Sequence, residues 1–261
     1  MGLLTQVSNL AKSVSDTILL PNFAKVLKEK KPDGSWLTVA DTLAHQALVK
    51  ELPLLVDYPV LSEELTEQQQ QQIVKDRHSN YWCVDPLDGT SNFAQGIPYW
   101  CVSIALIEYG RMVLGVVYDP NRNECFAATE FSSTTLNGHS LEKAELESSE
   151  IGQSMGLIDF KRLDDVKASA LVINPPYRSQ RSFGASALDL CWIAANRCQV
   201  YLHGKQQLWD HAAGLLILKN ANGCAETFEG DSIFDNSLKP KTVIAASNGK
   251  LMQQWKSYFS D

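Results

Sequence analysis

The chain begins with apolar residues at Val7, Leu10, Ala11, Val14 and Ile18, the i, i+3, i+4, i+7 spacing of an amphipathic helix. Pro21, with no N–H to give, is expected to kink or end it. Residues 28–35 are polar and rich in turn formers, which predicts an exposed, mobile loop. Helical periodicity resumes over residues 38–52 through Val39, Leu43, Ala47 and Leu48. Pro59-Val60-Leu61 predicts a short buried strand running into Ser62-Glu63-Glu64. The five glutamines Gln68 to Gln72 read as a solvated helix face or a surface loop. Tyr81-Trp82-Cys83-Val84 shows no polar alternation, as expected of a strand covered on both faces. Residues 102–108 and 112–118 flank Tyr109-Gly110-Arg111, two strands and the turn of a hairpin.

The texture changes after residue 130. Residues 142–150 read as a polar surface connection, and a second half of βα type follows. Residues 186–195 predict a buried helix, Val200-Tyr201-Leu202 a short strand, and residues 210–221 another apolar helix stopped by Asn222-Gly223. Strands alternate with helices, yet a hairpin is present, so the sheets must be mixed. The expected fold is α/β, a layered sandwich in two lobes: an N-terminal α+β half (1–135) and a C-terminal α/β half (136–261), forming one compact unit.

Composition narrows the functional classes. The 261 residues suffice for one large domain with a full core. A formal charge of −7 excludes coating a nucleic-acid polymer, which needs clustered Lys and Arg. The longest apolar run, Tyr99 to Ile107, is too short to span a bilayer and contains a serine. Its first residues show no charged segment followed by an apolar core, and Gln6 stands where myristoylation needs Ser or Thr. Six scattered cysteines without a C-x-x-C pair match neither zinc spacing nor a disulfide framework. A reduced cytoplasm is the expected location.

The chemistry concentrates in Asp85-Pro86-Leu87-Asp88-Gly89-Thr90-Ser91-Asn92-Phe93, directly after the apolar strand. An aspartate at the C-terminal end of a buried strand sits where α/β sheets place ligands. Two carboxylates aimed at one point across a turn repel unless a hard cation such as Mg²⁺ lies between them, and the Leu87 carbonyl is a further oxygen donor. Taken alone, the segment is also a good turn. Glu63-Glu64 follows another strand and Asp210 opens a helix, where it would also serve as an N-cap. Acidic residues at three such junctions favour a shared site over three separate caps.

These residues carry a resemblance. The run from Trp82 to Phe93 is similar to the first signature of the inositol monophosphatase family, and Trp209-Asp210-His211-Ala212-Ala213-Gly214 to its second. Leu37-Thr38-Val39-Ala40-Asp41 and Ser62-Glu63-Glu64 resemble its two upstream motifs, and residues 181–188 its substrate-side stretch. The resemblance implies layered α-β-α-β-α architecture and a lithium-sensitive, Mg²⁺-dependent phosphatase of small phosphate monoesters. It implies that Glu63, Asp85, the Leu87 carbonyl, Asp88 and Asp210 bind two or three Mg²⁺ ions, so that the N-terminal half carries most of the ligands. Thr90 paired with Asp41 would orient the attacking water. Gly89 and Thr90 would hold phosphate through backbone N–H groups, with Asp88, Gly184, Ala185, Ser186, His203 and Asp210 on the substrate. A homodimer is expected.

Within that resemblance the substrate signals divide. Ser62 and His211 are similar to a bisphosphate nucleotidase branch, whereas Ser91-Asn92-Phe93 favours the inositol phosphatases. His203 stands seven positions before Asp210, where that subgroup has an acidic residue on the inositol ring. Inositol monophosphate is therefore the first expected substrate and phosphoadenosine phosphate the second. A catalytically silent regulator that binds metal and phosphate is the reading of another class, and the complete acidic set speaks against it. Several residues have two readings. His203 either faces substrate or is solvated, and His211 is expected to point to solvent. Lys30 and Lys31 reach the site or stay solvated, and Arg178, Arg181 and Lys205 form a second phosphate pocket or none. Trp82, Trp100, Trp192 and Trp209 read as core or interface, and Cys83 as a small core residue.

Overall fold

The structure, a computed structural model, describes residues 2–25, 28–30, 36–76, 78–144 and 149–259, with 28–30 and 36–37 described by their backbone alone. Helix α1 (Leu3–Val14) runs through a π turn (Ser15–Leu19) into the short α2 (Leu20–Asn22), which carries Pro21 and ends the amphipathic segment. Strand β1 (Lys28–Lys30) pairs antiparallel with β2 (Trp36–Thr38), so the first residues of the expected loop form a hairpin arm instead. Lys31 and the rest of that stretch, with the Lys30 side chain, lie outside the described residues. Helix α3 (Val39–Leu55) starts on a capping box between Thr38 and Asp41. The glutamine run forms α4 (Glu67–Ile73), capped by Thr66 and Gln69, after the buried strand β3 (Val60–Ser62).

Next come β4 (Tyr81–Asp88), α5 (Thr90–Gln95), the hairpin β5 (Cys101–Glu108) and β6 (Arg111–Asp119), then β7 (Glu124–Thr129), β8 (Thr135–Leu136) and β9 (His139–Ser140). Strands β3 to β9 lie side by side in chain order in a seven-stranded sheet, parallel only between β3 and β4. The rest of the chain supplies β10 (Met155–Asp159), α6 (Asp165–Ile173), β11 (Ser179–Arg181), α7 (Ser186–Ala194), β12 (Val200–Gln206) and α8 (Leu208–Asn220). It closes with β13 (Cys224–Glu226), β14 (Lys241–Ala246) and α9 (Gly249–Ser257). Their sheet, ordered β11-β10-β12-β14-β13, is parallel around β10 and antiparallel around β14.

Burial of apolar faces sets the layers. Helices α1 and α3 pack on one face of the large sheet, α7 and α8 fill the space between the two sheets, and α9 covers the far face of the smaller one. This is the expected α-β-α-β-α sandwich. Strand β4 shows why it had to be apolar throughout: Trp82 and Val84 pack towards α1 and α3, Tyr81 and Cys83 towards α7 and α8.

Two details of α8 depart from expectation. It begins at Leu208, so Asp210 is its third residue and forms a capping box with Gln207 instead of being the N-cap. His211, expected to face solvent, is buried, because the first turn of α8 packs between the sheets, and burial pushes its imidazole down to about 3. At the other end Asn222 takes the left-handed conformation and the Gly223 N–H closes on the Leu218 carbonyl at 2.9 Å.

Candidate active site

Parallel pairing places Ser62 beside Val84, which brings Glu63 and Asp85 out together at the ends of β3 and β4. On a regular strand, residues three apart point to opposite faces. Asp85 and Asp88 escape that rule because β4 carries an extra residue against β5: Asp85 opposes Ser103, whereas Asp88 opposes Cys101. This bulge around Pro86, rather than the expected turn, returns Asp88 to the side of Asp85. Asp210 arrives from the first turn of α8. Glu63, Asp85, Asp88 and Asp210 line one cavity of about 490 Å³ together with Leu87, Gly89 and Thr90.

Three of the carboxylates are held from behind. Asp85 accepts the Leu87 N–H at 3.0 Å, and Asp210 accepts the Gln207 N–H at 2.8 Å. Asp88 Oδ2 accepts the Ala187 N–H at 2.7 Å, with the Cys101 thiol 3.7 Å away. Burial pushes Asp85 well above the usual carboxylate range, and Glu63, Asp88 and Asp210 push it further. Burial does the same to Asp88, with Asp210 adding to it. Asp210 is pushed up to about 7 by burial, and Glu63 adds to that rise. Neighbouring anions that raise one another in this way are better accommodated by a cation than by water.

Beside them, the Thr90 hydroxyl lies 3.1 Å from Asp41 Oδ1 and 3.0 Å from the Leu87 carbonyl, either of which can take its single proton. The other Asp41 oxygen accepts the N–H and hydroxyl of Thr38 in the helix cap, so a buried, doubly anchored carboxylate fixes the threonine. Gly89 turns the chain from β4 into α5 with φ of 94°, and a Cβ there would lie 3.1 Å from the Tyr99 carbonyl.

The substrate side differs more from expectation. Gly184 and Ser186 line the cavity, whereas Ala185 is fully buried behind it, at the N-cap of α7. His203 also lines the cavity, yet both ring nitrogens are engaged. Nδ1 accepts the Lys205 N–H at 3.2 Å, so Nε2 carries the proton and donates to Asp159 Oδ2 at 3.0 Å. His203 therefore has no lone pair left for a substrate hydroxyl. Arg178 and Arg181 do not join Lys205. Both are exposed at the sheet edge, and Arg181 folds back onto Ser179 and the Gln180 carbonyl.

Sequence reasoning missed Asp159, Lys161, Arg162 and Asp189, which also line the cavity. Asp189 receives the Tyr99 hydroxyl at 2.7 Å, and burial pushes it up to about 7. Its position three residues after Ser186 in a helix was the available signal. Asp159 is recognisable only from its pairing with His203 across β10 and β12. Cys83 is fully buried, and burial, then Asp210 and Asp85, pushes its thiol far up, so it is inert. Trp82 and Trp100 are core residues, and Trp209 lines the cavity.

A sequence model of the inositol monophosphatase family matches residues 2–260. The chain belongs to the inositol monophosphatase family. A protein of Xylella fastidiosa named Nus factor SuhB is 34% identical over 196 residues, covering 73% of this chain and 68% of its own. The fructose-1,6-bisphosphatase/inositol-1-monophosphatase of Thermotoga maritima is 28% identical over 246 residues, covering 88% and 90%. The solved structure of a Thermotoga maritima IMPase superposes with a TM-score of 0.84 at 25% identity, over 100% of this chain and 99% of that one. Family membership supports a phosphatase and leaves its substrate open.

Proposed function

We propose that this protein is a Mg²⁺-dependent phosphatase that hydrolyses small phosphate monoesters by attack of water. The observation that carries the reading is the convergence of Glu63, Asp85, Asp88 and Asp210 on the cavity that also holds Thr90. The donors are all hard oxygens, which fits Mg²⁺ and not a thiolate-loving metal. Among the described residues, no three His, Cys, Asp or Glu side chains are grouped so as to hold an ion by themselves. Glu63, Asp85, Asp88, Asp210 and the Leu87 carbonyl would hold the ions, two or three in number. When bound, Mg²⁺ supplies charge neutralisation and a more acidic water.

The rest of the chemistry falls to the chain. Thr90 donates its hydroxyl hydrogen bond to Asp41 or to the Leu87 carbonyl and turns a lone pair towards the attacking water, which it orients. The N–H groups of Gly89 and Thr90 receive phosphate oxygens. Inositol monophosphate is the first substrate of this reading, and phosphoadenosine phosphate the second. Lithium inhibition, a homodimer and a cytoplasmic location belong to the same proposal. Among the described residues no helix is long and apolar enough to cross a membrane.

A relative bears the name Nus factor SuhB; against the second reading, a silent regulator that binds metal and phosphate, the complete Asp41, Glu63, Asp85, Asp88, Thr90 and Asp210 set favours the enzyme. Phosphate release from a panel of monoesters, with Mg²⁺ or with chelator, is the test. Mg²⁺-dependent turnover that Asp88→Asn abolishes is expected. Turnover that survives either chelation or Asp88→Asn overturns the metal assignment, and no turnover on any ester overturns the enzyme.

A further inference from the structure

A second cavity, of about 540 Å³, opens beside the C-terminal half of α8 and shares no residue with the acidic one at the helix's first turn. Two close approaches give it its shape. Strand β6 touches α8 at Gly115, where a Cβ would lie 2.9 Å from the Ala213 carbonyl oxygen. Towards its start β6 carries an extra residue against β5: Leu106 opposes Leu114, but Ile107 opposes Met112. Such a bulge bends its strand, and the wedge between Met112 and Leu215 stays open. Beyond the helix the chain turns back at Asn222, and a Cβ on Gly223 would run into Leu218. The returning strand β13 therefore passes close under the helix end and supplies the far wall.

The lining is mostly apolar and continuous with the core. Leu216, Leu218 and Ile233 are buried, whereas Met112, Ala225 and Phe234 are only partly covered. Apolar side chains bordering an open space forgo contacts that an apolar guest would supply. A concave site of this volume, apolar with few polar groups, has the makeup of a small-molecule site. Its charges stand at the rim. Arg111 and Glu130 neutralise each other at 3.1 Å. Lys219, in the last turn of α8, has no carboxylate partner among the described residues. The helix C-terminus favours a cation there, but it leaves that charge without a counter-anion. The cavity thus offers an apolar floor and one unneutralised ammonium.

We propose that this cavity is an accessory binding site for a small amphipathic monoanion, an aromatic or aliphatic body bearing one carboxylate or sulfonate. The body lies on Leu216, Leu218, Ile233 and Phe234, and the anionic group meets the Lys219 ammonium. The phosphate esters of the catalytic cavity are poor guests here, because an apolar floor offers nothing to sugar hydroxyls and a single cation does not balance a phosphate dianion. The inference stands apart from the phosphatase reading, since the two cavities have no residue in common. Cys224 lines this cavity with a free, half-buried thiol, which makes occupancy measurable.

The probe is 1-anilinonaphthalene-8-sulfonate, and N-phenyl-1-naphthylamine is the same body without the anion. The full chain with Mg²⁺ should bind about one equivalent of the sulfonate, read by fluorescence titration. Bound sulfonate should slow iodoacetamide alkylation of Cys224 by about tenfold or more, read by mass spectrometry, and leave Cys125, outside the cavity, at its own rate. Lys219→Glu should weaken the sulfonate by about fivefold or more and leave the uncharged compound unmoved. Ala225→Phe, which fills the cavity from edge strand β13, should abolish binding of both, with folding checked by circular dichroism. The alkylation experiment needs no substitution, so it decides the matter even if that variant does not fold. Cys224 alkylated at the same rate with the sulfonate bound, or binding that survives in folded Ala225→Phe, overturns the site. Equal effects of Lys219→Glu on the two compounds overturn its preference for an anion. Sulfonate binding that is lost as protein concentration rises gives the cavity to a second copy of the chain, and overturns the proposal as well.

Discussion

Asp210→Asn separates stability from activity at this site and gives the two opposite signs. The substitution keeps the shape of the residue, and the asparagine carbonyl can still accept the Gln207 N–H that Asp210 accepts at 2.8 Å. The helix cap therefore survives. What disappears is a carboxylate that burial and Glu63 push from 3.8 up to about 7. A carboxylate raised in the folded state destabilises the fold progressively as pH rises from its unfolded value towards its folded one. The penalty is absent below about pH 4, grows up to about pH 7 and is constant above. A rise of about 3 units at 1.4 kcal/mol per unit amounts to about 4 kcal/mol. For 261 residues unfolding with an entropy near 2 cal/mol/K each, that corresponds to about 7 °C in Tm.

The metal-free Asn variant should thus melt several degrees above the metal-free parent at pH 8, and the two should converge near pH 4. With Mg²⁺ the order should reverse, because the parent gains metal-binding free energy that the variant loses. Phosphate release should fall at least about 10³-fold. Differential scanning calorimetry in chelator and in Mg²⁺, at pH 4, 6 and 8, measures all three effects. A metal-free variant no more stable than the parent at pH 8 refutes the reasoning, since it would mean that Asp210 carries no buried-charge penalty.

Thr90→Ala should lower kcat by about 10² with little change in KM, as expected of a group that acts on the water and not on the substrate; a KM effect at constant kcat reassigns it to binding. Gly204→Ala forces a methyl into the Arg162 carbonyl, so it should destabilise the fold by about 2–3 kcal/mol in urea denaturation; a variant as stable as the parent refutes the close approach. Asp159 is raised by burial, but the hydrogen bonds and charges of His203 and Arg162 outweigh this and hold it at about 2. Its contribution to stability is present above about pH 4 and lost as pH falls through about 2, so Asp159→Asn should cost about 1–2 kcal/mol at pH 7 and nothing near pH 2. Equal losses at both pH values in chemical denaturation would place the effect in packing instead.

Local physics reaches a long way in this chain. The capping residues Thr38 and Thr66, the covered strand Tyr81 to Val84, the hairpin around Gly110 and the stop at Asn222-Gly223 are all short-range signals, and the helices and strands follow them. The order of the acidic motifs and the family are likewise legible, because both are properties of the linear chain. Other features depend on which strand lies beside which. A one-residue bulge against β5 decides that Asp85 and Asp88 face the same way, and no pattern within 85–88 specifies that register. His203 looks like a solvated or substrate-facing residue until β10 is set beside β12 and Asp159 accepts its Nε2–H. Arg178 and Arg181 look like partners of Lys205, but Arg181 lies on edge strand β11, Arg178 just before it, and neither lines the cavity. Lys161 and Arg162 take that place because Gly204 admits their turn. Sequence distance counts for little once packing sets the register: side-chain direction reverses with every residue of a strand, so a shift of one position between distant elements decides which charges share a wall.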